Sequence, residues 1–149
     1  MNEREATILA KSVAAECIAY RVRLLNRVIT NIYDRAYKPL GLTVNQSTIL
    51  VMLSRTDGAS SADIGRVLVM EKSTVSRNVK LMRKNGWIDI ADRDDGRSQQ
   101  ITVTAIGRKL LIAAHVEWRK AQKQAAKLLG EEGVAAVRKL HDTVRPERT

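Results

Sequence analysis

The sequence predicts a mainly α-helical fold with one small β-hairpin, and three features of the chain favour it. Apolar residues recur at three- and four-residue steps over most of the 149 residues. The segment 72–84, called the basic helix below, carries five cations and no acid, and a stretch of alternating polarity follows it directly. The apolar content of 44% suffices for one compact domain, with or without helical extensions for self-association.

Composition narrows the classes of partner. A net charge of +10 favours a polyanion. Because the chain has no run of about 18 apolar residues and no signal-peptide pattern, we expect no membrane partner and a cytoplasmic location. The single cysteine cannot form an internal disulfide, which fits that compartment. The chain has no Phe, two Trp and three Tyr, which argues against single-stranded RNA because that ligand stacks its bases on aromatic side chains.

The first predicted element is one long helix over residues 4–38, ended by Pro39 and Gly41. At 1.5 Å per residue it would be roughly 50 Å long, longer than a domain of this size is wide. We therefore expect its apolar seam to pack against a second copy of the chain. The seam consists of Ile18, Val22, Leu25, Ile29, Ile32 and Ala36.

Two shorter helices with capping signals come next. Thr43 with Gln46 predicts the start of a helix over 44–55, and Ser60 predicts the start of another that ends near Leu68. A tight connection then leads into the basic helix. Two short helices joined by so few residues, the second of them basic, are typical of a helix-turn-helix.

The basic helix, which ends at Asn85-Gly86, has two opposed faces. Val75, Val79 and Met82 form an apolar stripe. The opposite face mixes cations, which neutralise phosphates, with hydroxyls, which reach base edges or phosphates. A solvated surface is the usual alternative for a charge run, but the neighbouring elements favour a helix in the major groove of DNA. This face holds Ser73, Ser76, Arg77, Lys80 and Lys84.

A hairpin and two further helices complete the prediction. Segments 87–91 and 100–103 alternate apolar and polar residues, with a polar turn between them. Thr104 caps a long helix over 105–129 that Gly130 closes, and a last helix over 131–144 ends near Pro146. We expect the inward side of the hairpin to consist of Ile88, Ile90, Ile101 and Val103.

This order of elements resembles the MarR family of winged helix-turn-helix regulators. The resemblance rests on Ser-Thr-Val-Ser-Arg at 73–77, on the segment from Leu81 to Gly86-Trp-Ile, and on the wing, as the hairpin is called in that family. The wing pattern Asp-x-Arg, apolar strand, Thr and Gly corresponds to Asp95-Gly-Arg97, Ile101-Thr-Val103, Thr104 and Gly107, with Val103 where the family usually has Leu. The resemblance covers nearly the whole chain.

The resemblance implies a winged helix-turn-helix DNA-binding domain at 43–104 on a helical dimerisation platform formed by 1–42 and 105–149. Two such chains would bind a pseudo-palindromic operator in double-stranded DNA as a homodimer, with the recognition helices about one DNA turn, roughly 34 Å, apart. The implied function is a bacterial or archaeal transcriptional regulator, a repressor released by a small-molecule effector, phenolic or similar. The candidate DNA contacts are Lys72, Ser73, Thr74, Ser76, Arg77, Lys80, Lys84, Arg93 and Arg97.

Arg97 at the wing tip is expected, from the resemblance, to enter the minor groove, where narrow A·T tracts attract a guanidinium. The alternative is an ion pair with Asp92 or Asp95 that only shapes the turn. Because a wing acid facing DNA would repel phosphates, we expect Asp95 to lie inward and to orient Arg97.

Two further sites are weaker hypotheses. The family often keeps an effector pocket between platform and winged domain, for which the candidates are Tyr37, Met52, Arg55, His115 and Trp118; packing or surface exposure explains each of them better. A peroxide-sensing branch of the family uses one cysteine early in the first helix. Cys17 lies there, yet Tyr33 and Tyr37 do not match that branch's spacing, and a cysteine on an apolar helix face is more often inert.

No enzymatic constellation is present. Two separated histidines and one cysteine do not supply a metal site, and neither a phosphate-binding glycine motif nor a nucleophile elbow occurs, so we expect no metal, no cofactor and no catalysis. The competing functions are a non-specific architectural DNA-binding protein, a winged helix used for protein contact, and a redox-sensing regulator based on Cys17.

Overall fold

The computed structural model describes residues 2–144 and confirms the mainly helical fold with one hairpin. None of the described helices is both long and apolar enough to cross a membrane. The elements in chain order are α1 (Glu3–Glu16), α2 (Ile18–Tyr37), a 3₁₀ turn (Lys38–Leu40), α3 (Val44–Ser54), α4 (Ser61–Leu68), α5 (Lys72–Lys84), β1 (Ile88–Asp92), β2 (Gln99–Val103) and α6 (Ala105–Val144).

The prediction of one helix over 4–38 is wrong, because the chain bends at Cys17. This residue has extended backbone angles, φ −68° and ψ 115°, and separates α1 from α2. Its N–H donates to the Val13 carbonyl at 2.9 Å, and the Tyr20 N–H donates to its Sγ at 3.4 Å. Since α1 buries no residue in the described chain, no internal packing holds α1 and α2 in one line.

Helices α3 and α4 begin at the two predicted N-caps, Thr43 and Ser60, and each of them forms a capping box. The Gln46 N–H donates to Thr43 Oγ1 at 3.3 Å, and the Thr43 N–H donates to Gln46 Oε1 at 3.1 Å. In α4 the Asp63 N–H donates to Ser60 Oγ, and the Ser60 N–H donates to Asp63 Oδ2, both at 3.1 Å. Each box satisfies N–H groups that have no partner within the helix, which fixes where these helices start.

The turn between α4 and α5 is held by the backbone. The Met70 N–H donates to the Gly65 carbonyl at 2.9 Å, and a Cβ on Gly65 would lie only 3.1 Å from the Met70 carbonyl oxygen. Between them Val69 adopts left-handed angles, φ 52° and ψ 48°, with its side chain 78% exposed. A β-branched residue is strained in this conformation, so the turn is made at a local cost.

The hairpin pairs β1 and β2 antiparallel, with Ile88 opposite Val103 and Ile90 opposite Ile101. Ile88 and Ile101 are buried, while Ile90 and Val103 are half-buried, so the predicted inward side is confirmed. A bridge that was not predicted adds Ala59, whose N–H donates to the Ile101 carbonyl at 3.1 Å and whose carbonyl accepts from the Ile101 N–H at 2.8 Å. Sequence periodicity cannot predict this bridge, because it involves one loop residue rather than a strand.

The main core lies where α3, α4, α5 and the hairpin meet. Its apolar side chains are almost fully removed from water, which supplies most of the favourable free energy of folding. The largest of them are Ile49, Leu50, Leu53, Ile64, Met82, Ile88, Ile101 and Val75.

The helical platform, here α1, α2 and α6, is built mainly from α2 against α6. Ile32 packs against Ala121 and Ala125, whose small side chains allow the two helices to approach closely. The Tyr33 hydroxyl donates to Gln122 Oε1 at 2.5 Å and fixes the register of the pair. Burial and the nearby Tyr37 phenol raise the pKa of Tyr33, so this hydroxyl keeps its proton, and can donate, to a higher pH than an exposed tyrosine.

The predicted closure at Gly130 is confirmed, because α6 is broken there by a non-helical residue with φ 69° and ψ 172°. The last segment of α6 then continues to Val144. The expected stop near Pro146 lies outside the described residues.

The start of α6 is joined tightly to the hairpin. The Thr104 hydroxyl donates to the Gly86 carbonyl at 2.5 Å and accepts from the Gly107 N–H at 3.0 Å, and the Thr104 N–H donates to the Trp87 carbonyl at 3.1 Å. A Cβ on Gly107 would overlap the Trp87 carbonyl oxygen and lie 2.8 Å from Val103 Cγ1. Only glycine therefore permits this junction.

Val69→Gly should stabilise the protein. Glycine adopts the left-handed conformation freely, which removes a strain of about 1–2 kcal/mol, partly offset by the greater freedom of glycine in the unfolded chain. We expect the midpoint of thermal unfolding to rise by about 2–4 °C in calorimetry. The matched control Val67→Gly, at a 44% exposed position inside α4, should lower it. A fall in both variants would contradict the strain at Val69.

Gly107→Ala should destabilise the protein by at least about 2 kcal/mol, because the new methyl group collides with the Trp87 carbonyl. Urea unfolding followed by circular dichroism measures the change. At a helix position without such a neighbour, the same substitution stabilises by about 1 kcal/mol. A stabilised Gly107→Ala protein would therefore contradict the close contact with Trp87.

Candidate nucleic-acid interface

Helix α5 is oriented by its buried side. Val75, Val79 and Met82 are 1%, 7% and 0% exposed and pack into the core. Because these three residues fix the rotation of the helix about its axis, the opposite side must face solvent. The prediction of an apolar stripe with a basic face behind it is confirmed.

The solvent side of α5 carries most of the candidate DNA contacts. Their side chains extend from one helix surface without an ion-pair partner among the described residues, so the cations are available to phosphates. The exposed members are Lys72, Ser73, Ser76, Arg77, Lys80 and Lys84.

Thr74 has a different position from the other candidates. It is half-buried, and its Oγ1 accepts a hydrogen bond from Arg77 Nη2 at 3.3 Å. Its carbonyl accepts from Asn78 Nδ2 at 2.9 Å. Thr74 thereby orients the Arg77 guanidinium on the exposed face, in a role that the residue type alone did not reveal.

The wing tip presents Arg97 to solvent, on a turn in which Gly96 has φ 63°. The expectation that Asp95 lies inward is wrong, since Asp95 is exposed and its Oδ1 accepts from the Arg97 backbone N–H at 3.0 Å. The acid shapes the turn through the backbone, and within the described part of the chain no salt bridge holds the Arg97 guanidinium. Arg93 is half-buried, with its N–H donating to the Ser98 carbonyl at 3.0 Å.

Two cations that the sequence analysis did not assign, Arg66 and Arg83, line an open groove of about 730 Å³ beside α5. The groove lies between α4, α5 and the hairpin, and Lys72, Lys80 and Gln99 also line it. Arg83 was not predicted because it lies between the apolar stripe and the basic face on the helical wheel. Arg66 was not predicted because it belongs to α4, and the sequence does not show how α4 crosses α5.

Arg66 is held at the groove by Asp63, with Nη2 and Oδ1 3.1 Å apart. The pKa of Asp63 lies below its ordinary value, chiefly because the Ser60 hydroxyl donates to the carboxylate, and further because of the Ser60 N–H and Arg66. The carboxylate therefore stays ionised at neutral pH and orients the guanidinium.

The predicted effector residues are only partly brought together. Tyr37, His115 and Trp118 line a cavity of about 380 Å³ between α3 and α6. The His115 and Trp118 rings stack with centroids 5.3 Å apart, and the Tyr37 hydroxyl accepts from Ser47 Oγ at 3.2 Å. The remaining walls are Ser47, Val51, Leu111 and Ala114.

Met52 and Arg55 do not line this cavity. Met52 is half-buried and packs against the main core, and Arg55 is the exposed C-cap residue of α3. Cys17 is half-buried and caps α2, whereas Tyr33 and Tyr37 lie at the far end of that helix, about 24 Å or more away. Within one chain no tyrosine of α2's last turns reaches its thiol.

Over residues 2–144, no group of three or more His, Cys, Asp or Glu side chains is arranged to hold a metal ion.

The chain is a winged helix-turn-helix protein. Helices α4 and α5 form the helix-turn-helix, α5 exposes a basic face, and the hairpin β1–β2 that follows α5 is the wing.

Comparison with known proteins agrees with this class. The family model described as the MarR family matches residues 40–98, from the end of the 3₁₀ turn to the wing tip. A probable transcriptional regulator from Pseudomonas aeruginosa superimposes with a TM-score of 0.77 at 24% identity, covering 87% of this chain and 98% of the other. The transcriptional regulator MOSR of M. tuberculosis, solved in complex with DNA, gives 0.71 at 28% identity, with coverages of 88% and 100%.

Two further comparisons extend the agreement. A cysteine-to-serine mutant of MarR from E. coli, complexed with operator DNA, shares the fold with a TM-score of 0.78 at 16% identity, over 90% of this chain and 97% of the other. The HTH-type transcriptional regulator Hpr of Bacillus cytotoxicus is 26% identical over 118 residues, which are 78% of this chain. The match spans 64% of the length of that relative. The segment 40–98 thus matches the model of the MarR family, and the fold is that of the solved MarR-type regulators.

Proposed function

We propose that the chain is a sequence-specific transcriptional regulator that binds double-stranded DNA through α5 and the wing, and acts in the cytoplasm where its DNA target lies. The observation that carries the proposal is the exposed face of cations and hydroxyls on α5, together with an exposed Arg97 on the wing that forms no salt bridge within residues 2–144. A helix of this composition suits the major groove, and a guanidinium on a narrow hairpin suits the minor groove. Two structural neighbours, a mutant of MarR from E. coli and MOSR from M. tuberculosis, were solved in complex with DNA, which supports the assignment.

The regulator would act as a homodimer joined through its platform, with 1–42 and 105–149 as the dimerisation region and 43–104 as the DNA-binding domain. Large apolar side chains remain exposed on α1, α2 and the end of α6, which is the type of surface that a partner covers. A two-fold axis would place two α5 helices on successive turns of one DNA face. These exposed residues are Ile8, Leu9, Val13, Val22, Leu24, Leu25, Val28, Leu128, Val137 and Leu140.

The proposed regulation is repression by promoter occlusion, with release by a small apolar effector, phenolic or similar. The cavity beside Tyr37, His115 and Trp118 supports it, because it lies between the α3 of the DNA-binding domain and the α6 of the platform. A ligand there would favour one spacing of the two α5 helices over another, and so change operator affinity.

Selection of bound duplexes from random DNA tests the function directly. A recovered palindrome with half-sites one turn apart is the expected result. Recovery without any enriched motif, together with equal affinity for random duplexes at physiological salt, would instead identify a non-specific architectural protein.

Lys80→Ala should weaken binding to all DNA sequences alike and reduce the dependence of log K on log salt by about one unit, because a phosphate contact is lost.

Arg97→Ala should reduce the free energy of operator binding by about 1–3 kcal/mol and relax the preference for A·T pairs beneath the wing. Fluorescence anisotropy over a salt series measures both. Lys139→Ala, an exposed cation on the last segment of α6, serves as control and should bind like wild type. Unchanged binding by both interface variants would indicate a winged helix used for protein contact.

Val22→Glu should convert the dimer to a folded monomer, because the 56% exposed side chain lies on the apolar platform surface and a carboxylate there cannot be buried against a partner. Sedimentation velocity gives the mass. Ile112→Glu, at a 73% exposed position outside that surface, is the matched control and should remain dimeric. A dimeric Val22→Glu protein would exclude this surface as the interface.

A further inference from the structure

The positive charge of the chain lies mostly outside the winged domain. Residues 43–104 contain nine Lys and Arg against seven Asp and Glu, a net charge of only +2 out of +10. The proposed DNA-binding domain therefore does not account for the basic character of the protein, and the remaining +8 belongs to the two platform segments.

Much of this excess lies on one face of α6. Between residues 105 and 129 the helix has six cations and one acid. At 100° per residue all six cations fall within about 120° of the helix circumference. We call this surface the α6 outer face; its cations are Arg108, Lys109, Arg119, Lys120, Lys123 and Lys127, all exposed.

The α6 outer face is exposed along its length, and at its start Arg108 Nη1 donates to the Val103 carbonyl at 2.8 Å. The opposite side of the helix is buried, with Ala114 at 2%, Ala121 at 1% and Ala125 at 5% exposure. The single acid, Glu117, lies at the edge of the outer face and pairs with Lys120 at 2.8 Å. The other five cations form no ion pair among residues 2–144, so their charge is not neutralised internally.

We propose that the α6 outer face is a second DNA-contacting surface, which binds a duplex segment other than the operator that α5 and the wing hold. This inference rests on the proposed function only in that the operator is taken as the duplex bound by α5 and the wing. From Arg108 to Lys127 the face is about 29 Å long, the length of most of a turn of duplex. A duplex carries one phosphate charge per about 1.7 Å of its axis, so an exposed convex face with cations along about 29 Å can contact several phosphates without a groove or pocket.

Charge and shape favour DNA over other polyanions. An anionic membrane holds a basic helix durably when an apolar face inserts beside it, but the side of α6 opposite the outer face, at Ala114, Ala121 and Ala125, is buried within the chain. Of the outer face only Ile112 and Val116 are large and apolar, too few for insertion. A second copy of the chain would bring like charges together, which repel.

The test compares two variants with the same change in net charge. The first, Lys120→Gln/Lys123→Gln/Lys127→Gln, neutralises the outer face. The control, Lys11→Gln/Arg35→Gln/Lys139→Gln, removes three exposed cations from α1, α2 and the last segment of α6. All six positions are exposed, so both proteins should fold, and calorimetry checks this.

Each full-length protein is first titrated with a short operator duplex, and the saturated complex is then titrated with a labelled random-sequence duplex. We expect all three proteins to bind the operator equally. The wild-type and control complexes should bind the second duplex, while the outer-face variant should lose about tenfold in affinity and about three units of salt slope in that step alone.

A second measurement uses the unmodified protein. In the operator complex, addition of the random duplex should protect Lys120, Lys123 and Lys127 from acetylation, as read by mass spectrometry. Equal loss of second-duplex binding in both variants, no second binding step in wild type, or tighter binding of the operator complex to anionic vesicles than to the duplex would overturn the proposal. Failure of the first titration would instead overturn the proposed function.

Discussion

Burial of one side of α5 is the constraint on which the rest of the interface depends. Val75, Val79 and Met82 enter the core together, and no rotation of the helix keeps them buried while turning Lys80 or Arg77 inward. Because removing apolar surface from water dominates the free energy of folding, the charged face is fixed by the core rather than by its own contacts. Thr74 then refines this face by holding the Arg77 guanidinium. One side of α5 thus stabilises the fold, and the opposite side carries the proposed DNA contacts.

The junction at the start of α6 links this helix to the platform. The C-terminus of α5 ends at Gly86, whose carbonyl accepts from the Thr104 hydroxyl, and Thr104 caps α6 through the Gly107 N–H. Since Gly107 leaves no space between α6 and the Trp87 backbone, a shift of α6 must move the end of α5 and the wing with it. In the proposed homodimer, such a rigid connection would let a change in platform spacing alter the separation of the two α5 helices.

The distribution of charge gives the chain two basic surfaces of different character. On α5 the cations alternate with hydroxyls and stand beside a hairpin, an arrangement suited to reading a groove. On α6 the cations lie on a long convex face that carries no Ser or Thr hydroxyl between them, which suits phosphates rather than base edges. The acids of the winged domain are used locally, as Asp63 in a cap and Asp95 in the wing turn, and so they lower the net charge without opposing either surface.

The sequence by itself determined the order of helices, the two capping boxes, the break at Gly130 and the basic face of α5, because caps and periodicity are local properties. It did not determine the bend at Cys17, because the apolar residues keep their helical spacing on both sides of that residue. The bend is compatible with the fold because α1 buries no residue in the described chain. The groove cations Arg66 and Arg83, the role of Thr74 and the outward position of Asp95 also required the tertiary structure. These depend on how α4 crosses α5 and how the hairpin turns, which are relations between segments that no single segment encodes.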